Sequence, residues 1–289
     1  MRIQYRLTHI YISLFSGWLK SLSESERERF ALRFARLAYY ILSLRKKDSS
    51  KNILIAFPSK SAQQRDKLLK NSYAFFAKSF LQFLALPKAY QFIKINVKGK
   101  QLLDDALKKG KGVILVTGHF GKWEILSAWL GSSGYPVYAV AHRQKNRGAD
   151  LFFKSYRKSL GMEMIYRKSS LKNMYHILDE NKILVLGSDQ DAKSRGIFVK
   201  FFNKPASTPK GAARFHLETH SPLLFISCHL DQRGQYNLHI QPVNPSGPIT
   251  VETITQAYTD LLEEKIRQFP DQYFWFHRRW KTQPSHSTE

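Results

Sequence analysis

The sequence predicts an α/β protein with a mostly parallel central sheet flanked by helices, preceded by a helical N-terminal region. Four short, β-prone apolar runs are predicted as buried strands: GVILVT (112–117), YPVYAVA (135–141), KILVLGS (182–188) and PLLFISC (222–228). Amphipathic helical stretches lie between these runs, near 122–130, 149–160, 169–180 and 207–219. Strands that alternate with helices at this spacing favour a parallel sheet covered on both faces.

Three further elements complete this prediction. GIFVKFF (196–202) and YNLHIQPV (236–243) are predicted as additional strands, parallel or antiparallel, and residues 252–268 as a last helix. The chain has no internal repeat and no low-complexity linker. We therefore predict one α/β domain over residues 91–289, packed as one unit with a helical, membrane-associating region over residues 1–90.

The beginning of the chain contains an uncharged run, LTHIYISLFSGWL, between Arg6 and Lys20. Its 13 residues are fewer than the roughly 20 that a helix needs to cross a bilayer. No small-residue cleavage site follows the run, which disfavours a secretory signal peptide. We favour an anchor at the membrane interface over a buried helix. The sequence leaves open whether residues 7–19 span the membrane or lie on it.

Two apolar stripes predict further helices in the N-terminal region. The first, from Glu26 to Leu44, is accompanied by arginines, as in helices that bind membrane surfaces. A packed helix with a solvated basic face would show the same pattern. The first stripe consists of Phe30, Phe34, Leu37, Ile41 and Leu44. The second, predicted to end at Pro87, consists of Leu69, Tyr73, Phe76, Phe80 and Phe83.

The charge of the chain is unusual. There are 46 Lys and Arg against 22 Asp and Glu, which gives a formal net charge of +24. This surplus implies an anionic partner, such as nucleic acid, acidic lipid or a phosphorylated small molecule. Cys228 is the single cysteine, which excludes an intramolecular disulfide and fits a reducing compartment.

The candidate site lies where the strand 112–117 runs into the sequence G-H-F-G-K-W-E. Ligands of open α/β sheets bind at the carboxyl ends of the strands, and this is the position of His119. Gly118 and Gly121 permit a tight turn, and the next helix is predicted to begin near Lys122 with Glu124 in its first turn. His119 and Glu124 can therefore meet across the turn, which they could not do on one continuous helix.

A carboxylate bound to one imidazole nitrogen leaves the other nitrogen free to accept a proton. This equipment suits the deprotonation of a hydroxyl as it attacks an activated acyl group, for which a general base supplies about 10²–10⁴-fold in rate. Backbone N–H groups at the helix start are expected to stabilise the oxyanion. Taken alone, the spacing favours a loop histidine that is hydrogen-bonded for structural support.

GHFGKWE resembles the H-x4-E block of the glycerolipid and lysophospholipid acyltransferase superfamily. Three other segments resemble blocks of its lipid A branch, the late (lauroyl and myristoyl type) acyltransferases. In chain order they are NILIAFPSKSAQQRDKLLKNSY (52–73), LGSDQDAKSRGIFVKFFNKPASTPKGAA (186–213) and EEKIRQFPDQYFWFHRRWKTQP (263–284). The resemblance implies an O-acyltransferase of lipopolysaccharide biosynthesis at the cytoplasmic face of the bacterial inner membrane.

The resemblance also implies roles for individual residues. His119 would be the general base and Glu124 its orienting partner. Asp189, with Gln190 beside it, and Arg157 match polar positions that line the family's active site, and Arg157 would contact a phosphate or the oxyanion. The remaining residues expected to contact substrate are Arg143, Gly121 and Lys122. Lys122 stands where the family usually has Asn, and Asn203 where it usually has Gly.

The implied reaction needs no cofactor and no metal. An acyl thioester, carried by acyl carrier protein or coenzyme A, would be the donor, and a hydroxyl of a lipid A precursor the acceptor. Residues 143–172 contain nine Lys and Arg against two acids, and residues 193–214 contain six and none. Such basic segments suit a phosphorylated glycolipid, an anionic membrane and an acidic carrier protein.

Three alternatives stay open at this stage. The first is an acyltransferase that acts on another lipid, such as a phosphatidylinositol mannoside or a lysophospholipid. The second is a basic nucleic-acid-binding protein, although no recognisable module of that kind is present. The third is a metallohydrolase using His142, His229 or His239, which lack the usual ligand spacing.

Overall fold

A seven-stranded sheet forms the centre of the structure, a computed structural model that describes residues 2–86, 90–91, 93–166 and 171–284. The strands of this sheet are β1 (Ile95–Lys98), β2 (Val113–Thr117), β3 (Val137–Ala141), β4 (Glu163–Tyr166), β5 (Ile183–Gly187), β8 (Leu223–Leu230) and β9 (Tyr236–Pro242). Their order is β1-β9-β8-β2-β5-β3-β4. The pairing of β8 with β9 is antiparallel and the other pairings are parallel, which confirms the predicted fold class.

A separate antiparallel hairpin consists of β6 (Ile197–Phe201) and β7 (Lys204–Thr208). Three strands were not predicted from the sequence: β1, β4 and β7. The first two have four residues each, and all three carry polar side chains. Their apolar runs are therefore too short to be recognised. The four runs predicted as buried strands are all strands, and in β2 the residues from Val113 to Val116 are buried on both faces.

Ten α-helices surround the sheets in the described residues. They are α1 (Ile3–Ser21), α2 (Glu24–Tyr40), α3 (Lys46–Ala56), α4 (Ala62–Ala85), α5 (Lys100–Leu107), α6 (Trp123–Ser132), α7 (Arg147–Lys158), α8 (Leu171–Asp179), α9 (Gly211–Thr219) and α10 (Val251–Gln268). Helix α4 ends as predicted just before Pro87, which itself lies outside the described residues. Within the described part, no helix is both long and apolar enough to span a bilayer.

Helix α2 differs from its prediction in both extent and orientation. Ser23 and Glu26 form a capping box that begins it at Glu24, and it ends at Tyr40, before Leu44. Its buried face consists of Ala31, Ala35, Ala38 and Tyr39, because small side chains allow close packing against α4. Most of the predicted apolar stripe therefore points outward: Phe34, Leu37 and Ile41 are exposed, whereas Phe30 is half-buried and packs against α1.

The N-terminal helices and the sheet domain share one core. Helix α1 packs against α7, and α4 lies beside both. The carbonyl oxygen of Leu84, at the end of α4, accepts hydrogen bonds from Ser16 on α1 at 2.7 Å and from Tyr156 on α7 at 2.8 Å. These two bonds tie three helices to one point, beside the pocket that α4 and α7 line.

Candidate active site

His119 lies in the turn between β2 and α6, at the carboxyl end of the central strand. Gly121 has a φ of +61°, and a Cβ atom there would lie 2.0 Å from the carbonyl oxygen of Cys228. Only glycine allows the turn to approach β8 this closely. The N–H of Lys122 donates to that carbonyl at 2.6 Å, and the N–H of Gly121 donates to Gln272 at 2.7 Å. The turn is therefore fixed to β8 and to the C-terminal segment.

These hydrogen bonds limit which backbone N–H groups at the start of α6 could stabilise an oxyanion. The N–H groups of Gly121 and Lys122 already have backbone partners, so neither is available to an oxyanion in this structure. The first N–H groups of a helix lack intrahelical partners, and in α6 these begin with Trp123 and Glu124. Gly121 instead lines the pocket that adjoins His119.

The carboxylate that contacts His119 is Asp189. Its Oδ1 accepts a hydrogen bond from Nδ1 of His119 at 2.7 Å. Asp189 is buried and follows β5, the neighbour of β2, so the two residues meet because parallel strands end at the same edge of the sheet. With Nδ1–H donated to Asp189, Nε2 is the ring nitrogen left to accept a proton.

The electrostatics of this pair favour the ionised forms. Burial alone would lower the pKa of His119, but the charge and hydrogen bond of Asp189, with a smaller contribution from Glu124, raise it above its ordinary value. Burial would raise the pKa of Asp189, yet the charge and hydrogen bond of His119 lower it below the ordinary value. An imidazolium at position 119 would therefore be stabilised by a fixed counter-charge.

Glu124 does not form the expected hydrogen bond to His119. Its carboxylate instead accepts two hydrogen bonds from the guanidinium of Arg157 on α7. Nη2 donates to Oε1, and Nε donates to Oε2 at 3.2 Å. The carboxylate also accepts from the indole N–H of Trp123 at 3.1 Å. Arg157 is correspondingly paired rather than directed at a free anion site. The two residues close one side of the pocket beside His119.

Of two other predicted site residues, Gln190 lies beside His119 and Arg143 lies outside the pocket. The side-chain nitrogen of Gln190 is 3.4 Å from Nδ1 and 3.5 Å from Nε2 of His119, too far for strong hydrogen bonds. Arg143 is not at the pocket: its side chain is 63% exposed and lies 3.9 Å from Asp150, over the ring of Tyr166. Arg143 therefore follows the carboxyl end of β3, as predicted, but its side chain lies on the outer surface.

A pocket of about 430 Å³ opens beside His119, between α4, α6 and α7. Six of its lining residues are Phe or Trp: Phe76, Phe80, Phe83, Trp123, Phe153 and Phe274. The charged or titratable groups at its surface are His119, Lys122, Glu124 and Arg157. The pocket therefore suits a chain-like apolar ligand whose polar end reaches His119.

The C-terminal segment supports the site from behind. Trp275 is fully buried in the core. Phe274 donates its N–H to the carbonyl oxygen of His119 at 2.9 Å. Arg279 is also buried, and its guanidinium binds Ser207 at 2.7 Å and the hydroxyl of Thr208. The row of aromatics and arginines in FWFHRRW was visible in the sequence, but its position behind Asp189 was not.

Three other histidines, His229, His239 and His277, lie outside the pocket beside His119. His277 accepts a hydrogen bond from the N–H of Asp191 at 2.9 Å. His229 is buried, with its ring centroid 5.2 Å from that of His239, and burial lowers the pKa of His229 to about 4. In the described part of the chain no three His, Cys, Asp or Glu side chains form a group able to hold a metal.

Comparison with known proteins identifies a matching family and several relatives. Residues 2–282 match the family described as bacterial lipid A biosynthesis acyltransferase. The chain is 25% identical over 260 residues to the lipid A biosynthesis palmitoleoyltransferase of Escherichia coli (strain K12), covering 87% of this chain and 84% of that protein. It is 25% identical over 264 residues to the lipid A biosynthesis lauroyltransferase of the same strain, with coverages of 89% and 85%.

A mycobacterial relative is also similar. The phosphatidylinositol mannoside acyltransferase of Mycobacterium tuberculosis (strain ATCC 25618 / H37Rv) is 29% identical over 195 residues. The match covers 66% of this chain and 61% of that protein, so the chain spans less than two thirds of this relative's length. The similarities thus extend to proteins named for two different glycolipids.

The pairing of His119 with Asp189 predicts a shift that can be measured without substrate. In Asp189→Asn the charge that raises the pKa of His119 is lost while burial, which lowers it, remains. The pKa of His119 should therefore fall below that of the wild type in an NMR titration of the imidazole resonances. An unchanged pKa of His119 would contradict the assignment.

Proposed function

The chain belongs to the bacterial lipid A biosynthesis acyltransferase family, and we propose from this premise that His119 is the general base of its reaction. As a member, it is an O-acyltransferase of glycolipid biosynthesis. The finer proposal is that a fatty acyl group passes from a thioester to a hydroxyl of a lipid A precursor. This assignment favours an acyltransferase over the nucleic-acid-binding protein and the metallohydrolase.

One observation carries the proposed mechanism: a histidine bound through Nδ1 to a buried carboxylate lines an apolar pocket. Nε2 of His119 would accept the proton as the lipid hydroxyl attacks the thioester carbonyl. The tetrahedral intermediate then expels a thiolate, which recovers the proton from His119. The products are an ester and a free thiol. Asp189 stabilises the transient imidazolium, and the effect of such a base is about 10²–10⁴-fold in rate.

The proposed dyad of His119 with Glu124 takes a modified form. Asp189 provides the contact that orients the imidazole, and Glu124 contributes charge from a greater distance while it holds Arg157. Both carboxylates raise the pKa of His119, so both favour proton acceptance. We retain Glu124 as a catalytic candidate because its ion pair with Arg157 shapes the pocket wall next to the base.

The donor is proposed to be acyl carrier protein, with coenzyme A as the alternative, and no cofactor or metal is proposed. Support comes from the basic surface of the chain, since an acidic carrier is attracted by such a surface. Arg143 and Lys145 lie just before α7, on either side of the pocket residue Gln144, and Arg147 is the first residue of the helix. All three are exposed, so they are accessible to a carrier that docks beside the pocket.

The acceptor is proposed to be a phosphorylated lipid A precursor. The full-length similarity to two lipid A acyltransferases supports it. A phosphatidylinositol mannoside is the second candidate, because a relative named for that lipid is somewhat more identical over a shorter range. The chemistry at His119 is the same for both acceptors, since each offers a hydroxyl on an amphiphile in a membrane.

The proposed location is the cytoplasmic face of the inner membrane, with the protein attached through its N-terminal helices. One face of α1 exposes large apolar side chains: Ile3, Leu7, Ile10, Tyr11, Leu14 and Trp18. Phe34, Leu37 and Ile41 add to the exposed apolar surface on α2 and just after it, accompanied by the exposed Arg29, Arg33 and Arg36. Exposed apolar groups beside cations suit insertion into the headgroup region of anionic lipid.

The role of His119 is tested by mass spectrometry of lipid A from a strain that lacks this gene, complemented with wild type, His119→Ala or His176→Ala. Wild type and His176→Ala should restore one acyl chain, and His119→Ala should not, because removing the base costs about 10²-fold or more in rate. Restoration by His119→Ala would contradict the assignment. If lipid A is unchanged but another lipid loses an acyl group, the lipid A acceptor is wrong and the chemistry is retained.

Membrane attachment is tested by flotation with vesicles that contain anionic phosphatidylglycerol. The double substitution Leu7→Ser and Leu14→Ser removes two exposed apolar side chains from α1 and should weaken binding by about tenfold or more. The matched control, Leu102→Ser with Ile249→Ser, changes two exposed apolar side chains elsewhere and should bind as wild type. Equal binding by both double variants would contradict attachment through α1.

A further inference from the structure

Lys122 is a buried lysine at the pocket. It precedes α6, its side chain lines the pocket, and only 6% of the residue is exposed. Its ammonium donates to the side-chain oxygen of Gln82 at 3.0 Å and lies 5.0 Å from the ring centre of Phe75. Gln82 in turn donates from its side-chain nitrogen to the hydroxyl of Tyr236 at 2.6 Å, which fixes its oxygen toward the lysine.

The charge of Lys122 is not balanced by a neighbour. Within the described residues, His119 is paired with Asp189 and Arg157 with Glu124, but no carboxylate forms an ion pair with Lys122. The titratable groups that act on it are Cys228 on β8, Lys78 on α4, and Glu24 and Glu28 on α2. Glu28 is itself paired with Lys78 at 2.9 Å. A buried cation without a counter-ion is costly, so its retention beside a pocket points to a ligand that supplies the anion.

Burial lowers the pKa of Lys122 to about 8, so the ammonium form still predominates at neutral pH. An ammonium has three donors, and Gln82 takes one of them. The remaining donors can serve oxygens of an incoming group. A phosphate offers several charged oxygens and is a common ligand of lysine, which acts on it as a point charge.

We propose that Lys122 binds a phosphate-type oxygen of the substrate and selects amphiphiles that carry both an apolar chain and a phosphate. This rests on the proposed function, since it concerns the ligand of the same pocket. The aromatic wall receives the chain, and Lys122 receives the anionic group. The phosphate belongs either to the acceptor lipid or to the carrier of the thioester, because both substrate classes contain one.

The test measures binding rather than turnover. Decyl phosphate and decanol, below their aggregation concentrations, are titrated calorimetrically into the wild type, Lys122→Met and Lys158→Met at pH 7. The wild type should bind the phosphate about tenfold or more tightly than the alcohol. Lys122→Met should lose this preference, and it is expected to fold because an apolar side chain of similar size replaces a buried charge. Lys158 is exposed on α7, so its variant should behave as wild type.

The pH dependence sharpens the test. The phosphate monoester keeps its charge above pH 7, whereas the ammonium of Lys122 loses its proton around pH 8. The preference of the wild type should therefore decline as the pH rises through 8 toward 9.5. Absence of any preference in the wild type, or an undiminished preference in Lys122→Met, would overturn the proposal.

Kinetics then identify which substrate carries the phosphate. A raised KM of Lys122→Met for the phosphorylated acceptor alone assigns the contact to the acceptor, and a raised KM for the thioester alone assigns it to the donor. If both KM values are unchanged, the proposal is wrong even though acyl transfer proceeds. If the wild type binds decyl phosphate through Lys122 but transfers no acyl group, the proposed function fails and the phosphate site stands.

Discussion

The close approach of the turn at His119 to β8 is the constraint on which the site depends. Gly121 has no Cβ, and this lets the turn touch the carbonyl oxygen of Cys228 and accept support from Gln272. The same turn begins α6 and delivers Lys122 and Trp123 to the pocket. A turn held less tightly would leave the imidazole free to rotate away from Asp189, and small displacements of a base are costly in rate.

The surrounding strands and helices position the residues of the site around this turn. Parallel strands β2 and β5 end side by side and bring His119 and Asp189 together. The buried C-terminal segment packs behind the turn, and α4 supplies three of the aromatic side chains that line the pocket, Phe76, Phe80 and Phe83. Helix α1 lies on α7, so the exposed apolar face that we propose to enter the membrane is attached to an element of the pocket.

Much of this was predictable from the sequence because strong local signals carried it. The continuous apolar runs identified the central strands, and the glycines around His119 located the turn. Two features were not predictable. Glu124 is near His119 in sequence, whereas Asp189 reaches it only through the pairing of β2 with β5, which no local pattern encodes. The outward orientation of the apolar stripe on α2 follows from its alanine face packing on α4, a tertiary preference that overrides periodicity.

The most direct test of the central claim is the pH dependence of single-turnover acyl transfer in wild type, Asp189→Asn and Glu124→Gln. The wild-type rate should rise with pH through a pKa above the ordinary value of His, because the neutral imidazole is the active form and Asp189 raises its pKa. In Asp189→Asn the rise of the rate should occur at lower pH than in the wild type. This displacement, and the loss of rate, should both be larger than in Glu124→Gln. A larger displacement in Glu124→Gln would show that Glu124, and not Asp189, is the partner of the base.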